Sequence, residues 1–329
     1  MLLLSTLQQF DIEPADFLIV LATVGLALFF ILAALCAPLV GLATEGAYVA
    51  KGKAFYDKCA LQITQAAFGV GMFIFLILAG GAAFLVVQFQ PEAPELPELI
   101  AFLGPMIFFV PPLIGLVLLM FYLATWSLLK KHRVLHMFLG LLSVLVMTAV
   151  FFFGMLFLTN IQAPRLAYFL INAPLPVLRI LLADFISTPT LPLIFGCLFC
   201  TGIAAASGLA QLWLIMRRFK ADYGRDYYAF AMRYCARAAL LFTLAGTITG
   251  AATYYVLRRS TPPELSQPQD IGIMLIAVGL PLSCCLLWLA IVKSETPLRH
   301  KPGAFFACVF LIIALCAQIL MLVNTFPMA

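Results

Sequence analysis

The sequence predicts an all-α protein: a polytopic membrane helix bundle with eight transmembrane helices and both termini on the non-cytoplasmic side. Three observations carry this. Apolar residues fill 64% of the 329 positions and charged residues 10%, where soluble domains carry roughly 25% charged residues. Mean hydropathy is +1.11, and eight apolar stretches reach the length of about 20 residues that a spanning helix needs. Finally, the basic residues gather in alternate short loops, where they set topology. The net charge of +5 is therefore a membrane-orientation signal and does not suggest nucleic-acid binding.

In chain order the predicted spans cover 17–44, 60–90, 100–129, 134–160, 186–216, 232–257, 271–292 and 303–326, all within a single transmembrane domain over 1–329. Ahead of the first span, Met1 to Asp16 carries Asp11, Glu13 and Asp16 but no Lys or Arg, so no cleavable signal peptide is expected. The first span is uncharged throughout. It leads into the turn Thr44–Lys58, which holds Lys51, Lys53 and Lys58. The sixth span begins among Arg233 and Arg237, which are expected to snorkel to the interface. Between spans four and five, Gln162 to Asp184 is apolar but broken by Pro164, Pro174 and Pro176. Its pieces are too short to span, and it reads as a lid in the outer interface. After span six, Arg258 to Asp270 is a short polar link with prolines.

Of the 19 basic residues, Arg165, Arg179, Arg258 and Arg259 lie on one side, and the remaining fifteen lie in the loops and helix ends after spans 1, 3, 5 and 7. The positive-inside rule puts that richer side in the cytoplasm. An even number of spans then returns both termini to the opposite side.

Few residues in the apolar stretches can do chemistry. The nine cysteines read as small packing residues. Cys197 and Cys200 form a CxxC inside a helix, but a zinc site needs four ligands and no second pair is present. The histidines are His132, His136 and His300. His132 and His300 fall in basic loops, and His136 falls in the first turn of span four, where it is expected to face water or headgroups. Glu45 stands at the cytoplasmic end of span one, where an acid is easily solvated; it either pairs with the basic loop or marks a vestigial proton inlet. The glycines of span two (Gly69, Gly71, Gly80, Gly81) and the small residues of span five (Gly202 to Gly208) let helices approach closely, within the bundle or against another subunit. The run Phe151-Phe152-Phe153 reads as lipid or core filling.

Four segments in order carry a family resemblance. Glu45, Tyr48-Val49, Gly52-Lys53 and Tyr56 form the first; Trp126 to Met137, ending in Val-x-His-Met, the second. Ser187-Thr188-Pro189 is the third, and Arg225-Asp226 with Ala229 to Arg233 the fourth; Ile273-Met274 adds a fifth, short match. Together they resemble subunit I of the cytochrome bd-type quinol oxidases, over most of the chain. The resemblance implies a helical core in the bacterial inner membrane, termini outside, with a family-like turn at Glu45, Gly52, Lys53 and Tyr56.

The departures are as informative. The family's axial His of helix 1 corresponds to Ala27, and its second axial His to Cys197, while the third axial position survives as Met274. The pair of membrane glutamates in helix 3 is gone, since no acid lies between Glu98 and Asp184. The Arg ahead of the helix 7 Met reads as Gly272, and the long quinol-binding loop has shrunk to the polar link. Haem iron needs an imidazole, thiolate, thioether or similar donor. That leaves His136, Met274 and Cys197 as weak candidates, with no catalytic residue and no metal site. The expectation is a haem-free subunit that pairs with a haem-bearing subunit I, whose b and d haems it supports, with membrane lipids and a small single-helix subunit as further partners. The alternative is a membrane subunit of a quinol-oxidising complex that carries electrons through one b haem on His136 or Met274. A solute transporter fits less well, for want of broken helices with midplane polar groups.

Overall fold

The computed structural model describes residues 14–89, 98–159, 183, 185, 187, 188, 190–220, 223–260 and 268–325. Every regular element among them is helical: α1 (Pro14–Lys51), α2 (Ala54–Phe89), α3 (Glu98–Ala124), α4 (Arg133–Thr159), α5 (Thr190–Arg217), α6 (Arg225–Ser260), α7 (Pro268–Lys293) and α8 (Lys301–Thr325), with a short 3-10 turn at Pro297–Arg299. Seven are long and apolar enough to cross a membrane. The exception is α3, whose counted apolar part, Phe109–Ala124, is shorter. The chain is thus a multi-pass helical membrane protein. The lid segment, save Ala183, and 261–267 of the polar link lie outside the described residues.

Two helices overrun their predicted ends in a way that shapes the molecule. α1 continues past residue 44 to Lys51, because Glu45, Ala47, Ala50 and Lys51 are good helix formers. It stops at Gly52, whose φ of 66° lies in the left-handed region and whose N–H donates to the Tyr48 carbonyl at 2.8 Å, a helix ending that favours glycine. The family-like turn is therefore mostly helix. α6 likewise starts at Arg225, directly after Gly224 with φ 85°, and carries Asp226 in its first turn, where the helix dipole favours an acid. Pro38 and Pro281 sit inside α1 and α7, as membrane helices tolerate.

The chain divides into two compact units, one of residues 1–33 and 196–329, the other of residues 34–195. In the first, α7 packs along α6 and α8. The small residues of α5 pack internally: Ala204, Ala205, Ala206 and Ser207 are buried, and a Cβ on Gly208 would lie 2.8 Å from Cys308 Sγ and 3.4 Å from the Trp288 ring. The cysteines act as packing groups here too. Cys235, Cys284 and Cys308 are buried and unbridged, and the Cys284 thiol donates to the Ala307 carbonyl at 3.3 Å. Arg233, near the start of α6, has a protein partner: Nη2 donates to the Ser294 and Glu295 carbonyls at 2.9 and 3.0 Å, tying α6 to the segment just beyond α7.

In the second unit α3 packs along α2 and α4. Close approach is again set by glycine: a Cβ on Gly71 would lie 2.7 Å from Leu116, and one on Gly115 2.9 Å from Met147. Gly69, Gly80 and Gly81 instead have open space around them among the described residues. Ser143 Oγ donates to the Gly115 carbonyl at 3.0 Å, a buried link from α4 to α3. Ser143→Ala is expected to lower stability by about 0.6 kcal/mol, the usual worth of an interhelical side-chain hydrogen bond in a membrane bundle. Unfolding in mixed micelles checks it, and a loss above about 2 kcal/mol would mean the bond carries more than that general value. Phe151 is buried while Phe153 is 41% exposed, as core and lipid filling requires.

Candidate functional site: a buried charge cluster at the α1–α2 turn

Within the second unit the ends of four helices bring charged and aromatic side chains to one point. The apolar walls come first. Tyr122 closes α3, Trp126 follows in the turn, and both are buried. The His136 ring lies stacked on Tyr122, centroids 4.4 Å apart, and edge-on to Trp126 at 4.8 Å. α4 comes this close because residue 140 is glycine: a Cβ there would stand 2.9 Å from the Tyr122 ring and 3.1 Å from Leu42.

Glu45 enters this aromatic box from α1 and is completely buried. Its Oε2 accepts from the Tyr122 hydroxyl. Its Oε1 accepts from Arg133 Nη1 at 3.1 Å and lies 2.7 Å from His136 Nδ1. The Arg133 fork then reaches α2, where Nη2 donates to Asp57 Oδ1 at 2.7 Å. The guanidinium also lies over the rings of Tyr48 and Trp126, at 5.2 and 5.5 Å. Arg133 is the partner of two carboxylates and two aromatic faces at once, a task that its planar fork and delocalised charge suit and a lysine would not.

Proton placement follows from the partners. His136 Nε2 lies 2.8 Å from the Tyr122 backbone carbonyl, which only accepts, so Nε2 carries a hydrogen. Nδ1 faces Glu45 Oε1 with one proton shared between them, and with that proton on either atom the charges of Glu45, His136, Arg133 and Asp57 sum to zero. Both ring nitrogens are committed to the protein, and neither offers a lone pair to a metal in this arrangement.

Two expectations are corrected here. His136 does not face water or headgroups; it is fully buried, because Glu45 and the Tyr122 carbonyl give both of its nitrogens partners. Glu45 is not solvated either, because α1 runs on as helix and turns the carboxylate inward. Its cationic partner is Arg133, at the start of α4. The other turn residues serve the surrounding structure. Tyr56 is buried and its hydroxyl accepts from Lys51 Nζ at 3.1 Å; Gly52 terminates α1; Lys53 is exposed. The sequence alone does not single out Tyr122, Trp126, Asp57 or Arg133 as site residues. The available signal was charge: with no acid in spans three and four, a buried Arg133 or His136 must find its carboxylate on α1 or α2.

The positions that correspond to haem ligands in the resembled family lie in the first unit. Ala27 is an exposed methyl, Met274 is half-buried, and Cys197 is buried. The cavity between α5, α6, α7 and α8, lined by Thr201, Thr243 and Gln318 among others, holds about 10 Å³, against roughly 300–1,000 Å³ for small-molecule and cofactor sites. Of the three positions, only Cys197 and Met274 carry a donor atom, a thiol and a thioether. Among the described residues no group of three or more His, Cys, Asp or Glu side chains is placed to hold a metal ion.

Comparison with family models, curated proteins and solved structures returns no match for this chain.

Proposed function

We propose that this protein is a non-catalytic, haem-free membrane subunit of a cytochrome bd-type oxidase, pairing one-to-one with a haem-bearing subunit I in the bacterial inner membrane, with both termini on the outer side. One observation carries the reading. Four family-like residues, Glu45, Tyr56, Trp126 and His136, fall in the second unit, and three of them build its buried charge cluster, while the matches at Arg225 to Arg233 and at Ile273-Met274 fall in the first. Of the three positions where the family holds iron, all in the first unit, two are changed, to Ala27 and Cys197, and one keeps its methionine, Met274. The buried polar cluster of the resembled scaffold is thus built, and no histidine remains at an iron-binding position. The alternative b-haem subunit draws its ligand from His136 or Met274, and the His136 ring spends both nitrogens on Glu45 and Tyr122, which leaves it Met274.

The isolated chain, purified from cells making haem, is expected to show no α-band in a reduced-minus-oxidised spectrum. Mild-detergent purification from native membranes is expected to recover a histidine-rich, haem-bearing subunit in equal amount. A haem band from the chain alone defeats the haem-free reading, and recovery of the chain without any such partner defeats the pairing.

A further inference from the structure

The first unit carries a second polar feature that the pairing reading does not use. A cavity of about 470 Å³ opens at the start of α6, lined by Arg225, Asp226, Phe230, Arg233, Tyr234 and Arg237 on that helix and by Glu295 beyond α7. Arg225, Ala229, Arg233 and Arg237 follow each other at intervals of four, so the three arginines form one stripe, about 18 Å long at 1.5 Å per residue. Arg233 is occupied by the Ser294 and Glu295 carbonyls. Arg225 and Arg237 are exposed, and neither makes a hydrogen bond or ion pair within the described residues. No ion pair closes the cavity, although Asp226 and Glu295 share it with three guanidinium groups.

Its depth identifies the surroundings. From Ala238 to Leu257 the helix has no charged residue, a length of about 30 Å that matches the hydrocarbon core of a bilayer. Arg237 therefore stands at the edge of the hydrocarbon, and Arg233 and Arg225 extend outward through the headgroup layer. An arginine at that edge is costly unless an anion meets it, and the anion at that level is a lipid phosphate. Arginine forks suit phosphate oxygens. The stacked Phe230 and Tyr234 rings, 6.0 Å apart, supply an apolar wall beside the glycerol backbone. Asp226 and Glu295 face the same space as acceptors, which suits a headgroup bearing hydroxyl donors. Three arginines against two carboxylates leave one positive charge, the complement of a single phosphodiester.

We propose that this cavity binds the headgroup of an anionic glycerophospholipid of the phosphatidylglycerol type, with Arg237 on the phosphate and Arg225, Asp226 and Glu295 toward the headgroup hydroxyls. The test is lipid titration of the delipidated full chain in neutral detergent, read by native mass spectrometry, with phosphatidylglycerol and phosphatidylcholine as probes. Wild type is expected to retain phosphatidylglycerol in preference to phosphatidylcholine, and R225Q/R237Q to lose about tenfold or more of that affinity, at the usual contribution of each basic residue near an anionic lipid. K130Q/K131Q, which removes two exposed charges outside the cavity, is expected to bind as wild type does. The two arginines have no side-chain partner among the described residues, so the double variant should elute as wild type does, and that elution is checked first. Equal retention of both lipids by wild type, or no loss in R225Q/R237Q, overturns the proposal. So does full displacement of phosphatidylglycerol by glycerol 3-phosphate at equal concentration, which would assign the site to a soluble phosphate. Presence or absence of a haem band has no bearing on any of these outcomes.

Discussion

Glu45→Gln is expected to destabilise the protein by about 3–5 kcal/mol, the cost of breaking a buried pair by removing one partner. The carboxylate meets Tyr122, Arg133 and His136 in a site with no solvent access to take over. A carboxamide keeps one acceptor oxygen and replaces the other with an NH₂ group, so at least one of those donors would face another donor. Arg133 would also be left with Asp57 as its one carboxylate partner among the described residues. Unfolding by denaturing detergent in mixed micelles measures the loss. The double-mutant cycle with Arg133→Gln is the sharper form, because removing both charges relieves the imbalance that each single change creates. The double variant is expected to lose clearly less than the two single losses together. Strict additivity would mean that Glu45 and Arg133 act independently, and a loss in E45Q below about 0.5 kcal/mol, as for an ordinary surface change, would mean that water reaches the cluster.

The size of that effect explains what the sequence shows readily and what it hides. Bundle class, the positions of seven of the eight predicted spans and the density of basic residues at helix ends are legible, because each is set by local composition. The charge cluster is different. Glu45 and His136 stand 91 positions apart and Arg133 and Asp57 76, so no window contains them together. Read locally, each is an ionisable residue near the end of an apolar run, and solvation is the natural expectation for such a group. What overturns it is a small extension: α1 continues for two more turns than the apolar pattern requires. That rotates Glu45 onto the face shared with α3 and α4. The clue that was available is collective. Spans three and four hold a histidine and border an arginine without any acid of their own, and an aromatic pair, Tyr122 and Trp126, stands where both would pass. The partners of Arg233 are hidden for a related reason, since the Ser294 and Glu295 carbonyls lie some sixty positions away.

The cluster also depends on a residue with no side chain, and Gly140→Val is expected to cost about 3 kcal/mol, the upper end of the usual range for overpacking. A Cβ at this position would be 2.9 Å from Tyr122 Cε2 and 3.0 Å from Cζ, closer than carbon atoms pack. The Tyr122 ring cannot swing aside, because its hydroxyl is held by Glu45 and its face by the His136 ring. Leu42, on the other side at 3.1 Å, is flexible and can yield. Relief must then come from α4 moving outward, which pulls His136 and Arg133 away from Glu45 together. Overpacking at Gly140 and loss of the ion pairs should therefore share one structural consequence. In the background of Glu45→Gln, where the pairs are already broken and Tyr122 is less firmly held, Gly140→Val is expected to cost less than it does in wild type. Mixed-micelle unfolding of the two single variants and the double variant measures this. If the valine costs the same in both backgrounds, the glycine serves ordinary helix packing and the cluster does not fix the ring it touches.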